Sequence, residues 1–138
     1  MNEIIVGVDE SETARRAAQT AARLAEDSNS TLHVVICVKE WAEDVKIGSE
    51  SFRVDSVTAA DQYVKKLDLG STPPQVTHHV SLDKPASALC AEAERLGARM
   101  IVVGNRRVQG VSRILGSVAS DVIHGAPCDV LVANTTSS

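Results

Sequence analysis

Aromatic side chains are nearly absent from this chain of 138 residues, which contains one Trp, one Tyr and one Phe. Its hydrophobic fraction is nevertheless 43%, so its core must be built from Val, Ile, Leu and Ala. The length is typical of one domain, and residues 1–138 are interpreted as a single domain. The charged fraction of 23% fits a folded globular protein and argues against a disordered one.

Basic charge, long apolar runs and paired cysteines are lacking as well. The formal net charge is −4 at pH 7, which argues against a charge-driven nucleic-acid binder. No apolar run approaches the ~20 residues of a membrane span, and the first residues show no secretory signal. Cys37, Cys90 and Cys128 are too widely spaced to indicate a disulfide framework or a zinc site. These absences predict a cytoplasmic protein without a nucleic-acid or membrane partner and without a cysteine zinc site.

Short apolar runs rich in β-branched residues alternate with segments of helical periodicity. Strands are predicted at residues 4–8, 32–38, 75–80, 99–103 and 129–133. Helices are predicted after Ser11, from about 52 to 67, from Pro85 to Leu96 and from about 116 to 125. The polar stretch 39–50 is interpreted as a loop, and residues 134–138 as a frayed tail.

Strict alternation of strands and helices predicts an α/β fold, an open doubly wound five-stranded parallel sheet with helices on both faces. In such sheets ligands bind at the carboxyl ends of the strands, where the strand order reverses. Residues that directly follow a predicted strand are therefore the candidates for function.

The segment 104–117 is the first of these candidates, because it follows a strand and precedes a helix. Glycines let backbone N–H groups approach an anion, and a helix N-terminus adds partial positive charge. The residues that would contact a phosphate are Gly104, Arg106, Arg107, Gly110, Gly116 and Ser117. The spacing equally permits a structural interpretation, in which the glycines make turns and the arginines are solvated. The segment is neither a Walker A loop nor a dinucleotide GxGxxG motif.

Asp9 is the second candidate, at the end of the first predicted strand. A carboxylate there could accept a hydrogen bond from a ribose hydroxyl or help to hold a metal. The alternative is a structural role, with Asp9 or Ser11 capping the first helix. No serine has a histidine and an acid at triad spacing, and no general base stands beside segment 104–117, so no catalytic residues are predicted. Slow hydrolysis of ATP stays open.

Several segments resemble the universal stress protein family. They are residues 4–11, 32–35, 85–86, 101–104, 115–118 and 126–132. The resemblance covers nearly the whole chain and implies the strand order 3-2-1-4-5, with Asp9 facing Gly104 across the point where the order reverses. It also implies a homodimer formed through the last strand, at residues 129–133, and a further protein partner that it does not identify.

The family resemblance also implies ATP or another adenine nucleotide as ligand, with Mg²⁺ as the cation expected beside it. Members that bind ATP carry Gly, two residues, Gly, nine residues, Gly, and then Ser or Thr. In this chain Arg107 replaces the second glycine, and the segment is one residue shorter. By the same resemblance Asp9 meets the ribose, and the backbone near Cys37 and Val38 meets the adenine.

The changed glycine pattern keeps two functions open. In the first, Arg107 supplies charge or Gly110 takes over the turn, and the protein is a regulatory module that binds an adenine nucleotide. In the second, it is a dimeric interaction module of the same family that binds none.

Overall fold

A computed structural model describes residues 2–9, 11–105 and 116–135 of the chain. In chain order its elements are β1 (Glu3–Val8), α1 (Glu12–Asp27), β2 (Thr31–Cys37), β3 (Ala42–Ile47), β4 (Glu50–Asp55), α2 (Ser56–Lys65), β5 (Gln75–Ser81), α3 (Pro85–Leu96), β6 (Met100–Gly104), α4 (Ser117–Gly125) and β7 (Asp129–Ala133).

A five-stranded parallel sheet forms the centre of the fold, in the order β5-β2-β1-β6-β7. Renumbered within the sheet, this is the expected order 3-2-1-4-5, so the predicted fold is confirmed. Strand β1 lies in the middle, where Ile4 pairs with Leu32 on one side and with Met100 on the other. The strand order reverses between β1 and β6, and this reversal positions the site described below.

Apolar side chains on the two faces of the sheet form two layers of core. Helices α1 and α2 cover one face, where Val6, Val34 and Val102 are fully buried. Helices α3 and α4 cover the other face, over Ile5 and Ile101. The buried stripe of α1 consists of alanines, and such small side chains let the helix lie close to the sheet.

The interpretation of residues 39–50 as a loop is wrong. Strands β3 and β4 pair as an antiparallel hairpin, with Gly48 at a φ of 65° in the turn. The sequence pattern that indicates these two strands is the alternation of apolar and charged residues on both sides of this glycine. Helix α2 consequently begins at Ser56 and not near residue 52, with Asp55 as its N-cap.

The ends of α3 and of the chain complete the fold. Helix α3 extends from Pro85 to Leu96, as predicted, and Gly97 caps it in the left-handed conformation. Within the predicted tail, Thr135 is buried and hydrogen-bonded to Asn105, so packed structure extends at least to Thr135. In the part of the chain that the structure describes, no helix is both long enough and apolar enough to cross a membrane.

Candidate functional site

A cleft of about 220 Å³ opens at the carboxyl ends of β1, β2 and β6. Its apolar floor consists of Gly7, Val35, Leu89 and Val103, and its rim includes the first residues of α1, α3 and α4. The cleft therefore lies at the reversal of strand order, where a parallel sheet leaves room between helices on opposite faces. Of the predicted site residues, the structure brings five together here: Asp9, Cys37, Gly104, Gly116 and Ser117.

Asp9 is exposed at the rim of the cleft and takes part in the start of α1. Its Oδ1 accepts a hydrogen bond of 2.8 Å from the backbone N–H of Ser11. Ser11 is the N-cap, because its hydroxyl oxygen accepts from the backbone N–H of Ala14 at 3.1 Å. The Oδ2 atom of Asp9 has no hydrogen-bond partner among the described residues, which leaves an acceptor at the rim. The structural role of Asp9 and a ligand-binding one are therefore compatible.

Cys37 ends β2 and lines the cleft beside the apolar floor. Burial raises the pKa of the Cys37 thiol, and the negative charge of Asp83 raises that pKa further. A hydrogen bond with Ser81 lowers it by a smaller amount than burial raises it. The side chain is thus a neutral thiol at pH 7, small and weakly polar. A group of this kind suits contact with an uncharged ring better than catalysis.

Gly104 lies where three parts of the chain approach one another closely. A Cβ atom there would be 3.1 Å from the methyl groups of both Thr13 and Thr135. The residue is glycine because of this close approach, since its φ is not in the left-handed region.

The residue after Gly104 is held by hydrogen bonds. The backbone N–H of Asn105 donates to the carbonyl of Ala133 at 3.1 Å, and the Thr135 hydroxyl lies 2.7 Å from both the carbonyl and the side-chain oxygen of Asn105. The Thr135 N–H donates to the same side-chain oxygen at 2.9 Å. The residue that follows β6 is therefore held against the end of β7 and Thr135.

Gly116 and Ser117 place the start of α4 on the cleft. Gly116 is the N-cap residue, and among the described residues no side chain caps the free N–H groups of this nine-residue helix. Ser117 is exposed, and the first residues of α4, Ser117, Val118 and Ala119, line the cleft. The partial positive charge of a helix N-terminus and a hydroxyl donor therefore meet here, opposite Asp9.

The remaining predicted site residues lie elsewhere. Val38 lines a second pocket of about 230 Å³, together with Lys39, Trp41, Ser56 and Ala59. Its backbone N–H donates to the carbonyl of Ser81 at 2.9 Å, so only its carbonyl is left for a ligand. Arg106, Arg107 and Gly110 lie outside the described residues.

Sequence reasoning missed Gly7, Thr13 and Leu89 in the cleft. A glycine inside a buried strand is a signal of close approach, and it could have identified Gly7. Thr13 and Leu89 carry no such signal, because their place in the cleft depends on contacts between distant parts of the chain.

In the described ranges, no group of three His, Cys, Asp or Glu side chains could hold a metal ion. His33 is a buried histidine in β2. Its Nδ1 lies 2.6 Å from the hydroxyl of Thr77, and its Nε2 lies 2.5 Å from a carboxylate oxygen of Glu3. These bonds join β2 to its two neighbouring strands, away from the cleft.

In helix α3, the hydrogen bond from Arg95 lowers the pKa of the Glu92 carboxyl group.

Known proteins match this chain over nearly its whole length. A family model described as the universal stress protein family matches residues 1–134. Universal stress protein Sll1388 of Synechocystis is 29% identical over an alignment that covers 94% of this chain and 95% of that protein. Universal stress protein G of Shigella flexneri is 30% identical over 94% of this chain and 96% of that protein.

Two solved structures show how closely the fold agrees. A universal stress protein in complex with cAMP has a TM-score of 0.73 and 23% identity, and the match covers 98% of both chains. The universal stress protein of Archaeoglobus fulgidus in complex with dAMP has a TM-score of 0.63 and 23% identity, over 96% of this chain and 97% of that one. With the family model matching almost the entire length, the chain belongs to the universal stress protein family.

Proposed function

We propose that this protein binds an adenine nucleotide in the cleft between β1 and β6 and acts as a regulatory module rather than as an enzyme. The observation that carries the proposal is the convergence on one cleft of Asp9, an apolar floor and the N-terminus of α4, which no described side chain caps. These are the three kinds of group that a ribose, a base and a phosphate require.

Each part of the nucleotide has a matching part of the cleft. The apolar floor and the neutral thiol of Cys37 suit the adenine ring. The Oδ2 of Asp9, which has no partner among the described residues, suits a ribose hydroxyl, and the first N–H groups of α4 with the Ser117 hydroxyl suit a phosphate. Support also comes from two family members with this fold, solved with cAMP and with dAMP.

The cation in this proposal accompanies the phosphates. Asp9 is the one carboxylate among the described lining residues, and Mg²⁺ keeps several waters when it binds one carboxylate together with phosphate oxygens. A regulatory role fits better than catalysis, because Asp9 and the neutral Cys37 are the only titratable side chains among those residues.

Dimerisation through β7 is part of the same proposal. This strand, Asp129–Ala133, pairs with β6 along one edge, and its other edge has no partner among the described strands. An unpaired edge of apolar residues favours pairing with the same strand of a second copy. Residence in the cytoplasm is proposed as well, since all three cysteines are free thiols.

Calorimetric titration with AMP, and with ATP in the presence and absence of Mg²⁺, tests the ligand. Asp9→Asn keeps an oxygen that can accept the Ser11 N–H bond but removes the charge, so we expect affinity to fall about tenfold. Asp27→Asn, at the far end of α1, is the matched control and should bind like the natural protein. Absence of heat at millimolar nucleotide would refute the proposal and favour the interaction module that binds no nucleotide.

A further inference from the structure

The hairpin of β3 and β4 has one apolar face and one polar face. Residues directly opposite each other in an antiparallel pair lie on the same face, and Val45 pairs with Phe52. Alternation then assigns one set of residues to the side that we call the apolar arm face: Trp41, Glu43, Val45, Ile47, Glu50, Phe52 and Val54. The opposite face carries Asp44 and Arg53, which form an ion pair at 3.7 Å, and Lys46.

The apolar arm face is open to solvent. The exposed fractions are 67% for Ile47, 47% for Phe52 and 48% for Trp41. Val45 and Val54 are only half-buried. An isolated two-stranded hairpin is marginally stable in water, and an exposed apolar cluster on such an element is typical of an interaction site.

The base of the hairpin is anchored to the body of the protein. The backbone N–H of Trp41 donates to the hydroxyl of Ser56 at 3.0 Å, and the backbone N–H of Ser56 donates to the Trp41 carbonyl at 2.9 Å. Trp41 also lines the second pocket, together with Val38, Lys39, Ser56 and Ala59. A partner on the apolar arm face therefore meets an edge that is fixed to the body of the protein.

The charge on this face has one sign. Its two charged residues, Glu43 and Glu50, are both exposed, and neither forms an ion pair with a described residue. On the opposite face, by contrast, Asp44 is already neutralised by Arg53. A matching partner must bring apolar side chains and positive charge together.

We propose that the apolar arm face binds a segment of another protein in which apolar side chains alternate with Lys or Arg. A second copy of this chain is the poorer occupant, because it would bring Glu43 and Glu50 against the same two carboxylates. Anionic lipids and nucleic acids are disfavoured by the same negative charge. The surface is separate from the nucleotide cleft, so the inference does not depend on the proposed function.

The fluorescence of Trp41, the single tryptophan, reports on this face directly. The full chain is titrated with an acetylated, amidated decapeptide of alternating Lys and Val. We expect a saturable blue shift of the emission, weakened by salt, and none with the matching Glu–Val or Lys–Ser decapeptides. Phe52→Ser should weaken binding at least tenfold, whereas Lys46→Ser on the opposite face should not change it.

A charge-reversed variant keeps the test valid if Phe52→Ser disturbs the hairpin. The double variant Glu43→Lys, Glu50→Lys should lose the Lys–Val peptide and gain the Glu–Val peptide. Equal affinity of both peptides for the natural protein and this variant, or no shift at millimolar peptide, would overturn the proposal. So would a sedimentation experiment in which Phe52→Ser dissociates a dimer, because a second copy would then cover this face.

Discussion

Replacing Gly7 with alanine adds one methyl group to the floor of the cleft. The new Cβ would lie 2.7 Å from Cδ1 and 3.1 Å from Cδ2 of Leu89, well inside contact distance. Leu89 is 1% exposed, so its side chain has to move against buried neighbours. Overpacking of this kind costs about 1–3 kcal/mol. Restricting the unfolded chain offsets about 0.4–1 kcal/mol of that cost. Taking the middle of each range, we expect Gly7→Ala to lower the free energy of unfolding by about 1 kcal/mol.

The reciprocal change tests whether the contact with Leu89 is the cause. Leu89→Ala alone should cost about 2–5 kcal/mol, because it leaves a cavity in the buried layer under α3. In the double variant the methyl group added at position 7 occupies part of that space. The double variant should therefore lose less unfolding free energy than the sum of the two single losses, by at least about 1 kcal/mol.

Urea denaturation followed by circular dichroism measures all three variants. Gly125→Ala is the matched control, since a Cβ there would lie 3.6 Å from the Cys90 sulfur, an ordinary contact distance. That variant should be at least as stable as the natural protein and gain up to about 1 kcal/mol, because the same restriction of the unfolded chain applies without a clash. Two results would refute the close contact between residue 7 and Leu89. One is a double variant whose loss equals the sum of the two single losses, and the other is a Gly7→Ala variant as stable as the control.

Three further changes probe the exit of β6, a carboxylate and a helix end. Thr135→Val removes the hydroxyl that bonds Asn105 and should cost about 1–3 kcal/mol in urea denaturation; a loss near zero would contradict it. The hydrogen bond from Arg95 is the main cause of the lowered pKa of Glu92. The stability that this ion pair contributes is therefore present above pH 4.5 and is lost as the pH falls through the pKa of Glu92 in the folded protein. Glu92→Gln should flatten this acid side of a plot of urea midpoint against pH, and an unchanged slope would oppose it. Gly97→Ala, at a φ of 61°, should cost about 1–2 kcal/mol by thermal unfolding, whereas an equal melting temperature would rule out strain.

The sheet and its order could be predicted because their signals are local or shared by a family. Val and Ile runs mark buried strands, and alternation with helical segments requires parallel pairing. The order came from resemblance to known proteins. The hairpin was missed because charged residues dominate 39–50 and obscured the alternation of Val45 and Ile47. Its position outside the main core also removed the continuous apolar run that identified the other strands.

The residues of the candidate site also divide into those that the sequence could predict and those that it could not. Asp9 and Gly104 were predicted from their place at the ends of strands, since the carboxyl ends of parallel strands share one edge of the sheet. Cys37 was implied only by the family resemblance. Leu89 and Thr135 were not, because their roles depend on contacts that only the folded chain creates. Such contacts leave no pattern within a short window of sequence.

The two ends of the sheet differ in how completely their polar groups are satisfied. Toward the amino ends of the strands, both ring nitrogens of buried His33 have partners on neighbouring strands. At the carboxyl ends, Asp9 keeps an oxygen without a described partner, and the first N–H groups of α4 lack a side-chain cap among the described residues. Asp9 and Ser117 are exposed at the rim, so a ligand there exchanges hydrogen bonds with water for hydrogen bonds with the protein. The amino end therefore stabilises the sheet, while among the described residues the carboxyl end keeps the donors and the acceptor that the proposed nucleotide would use.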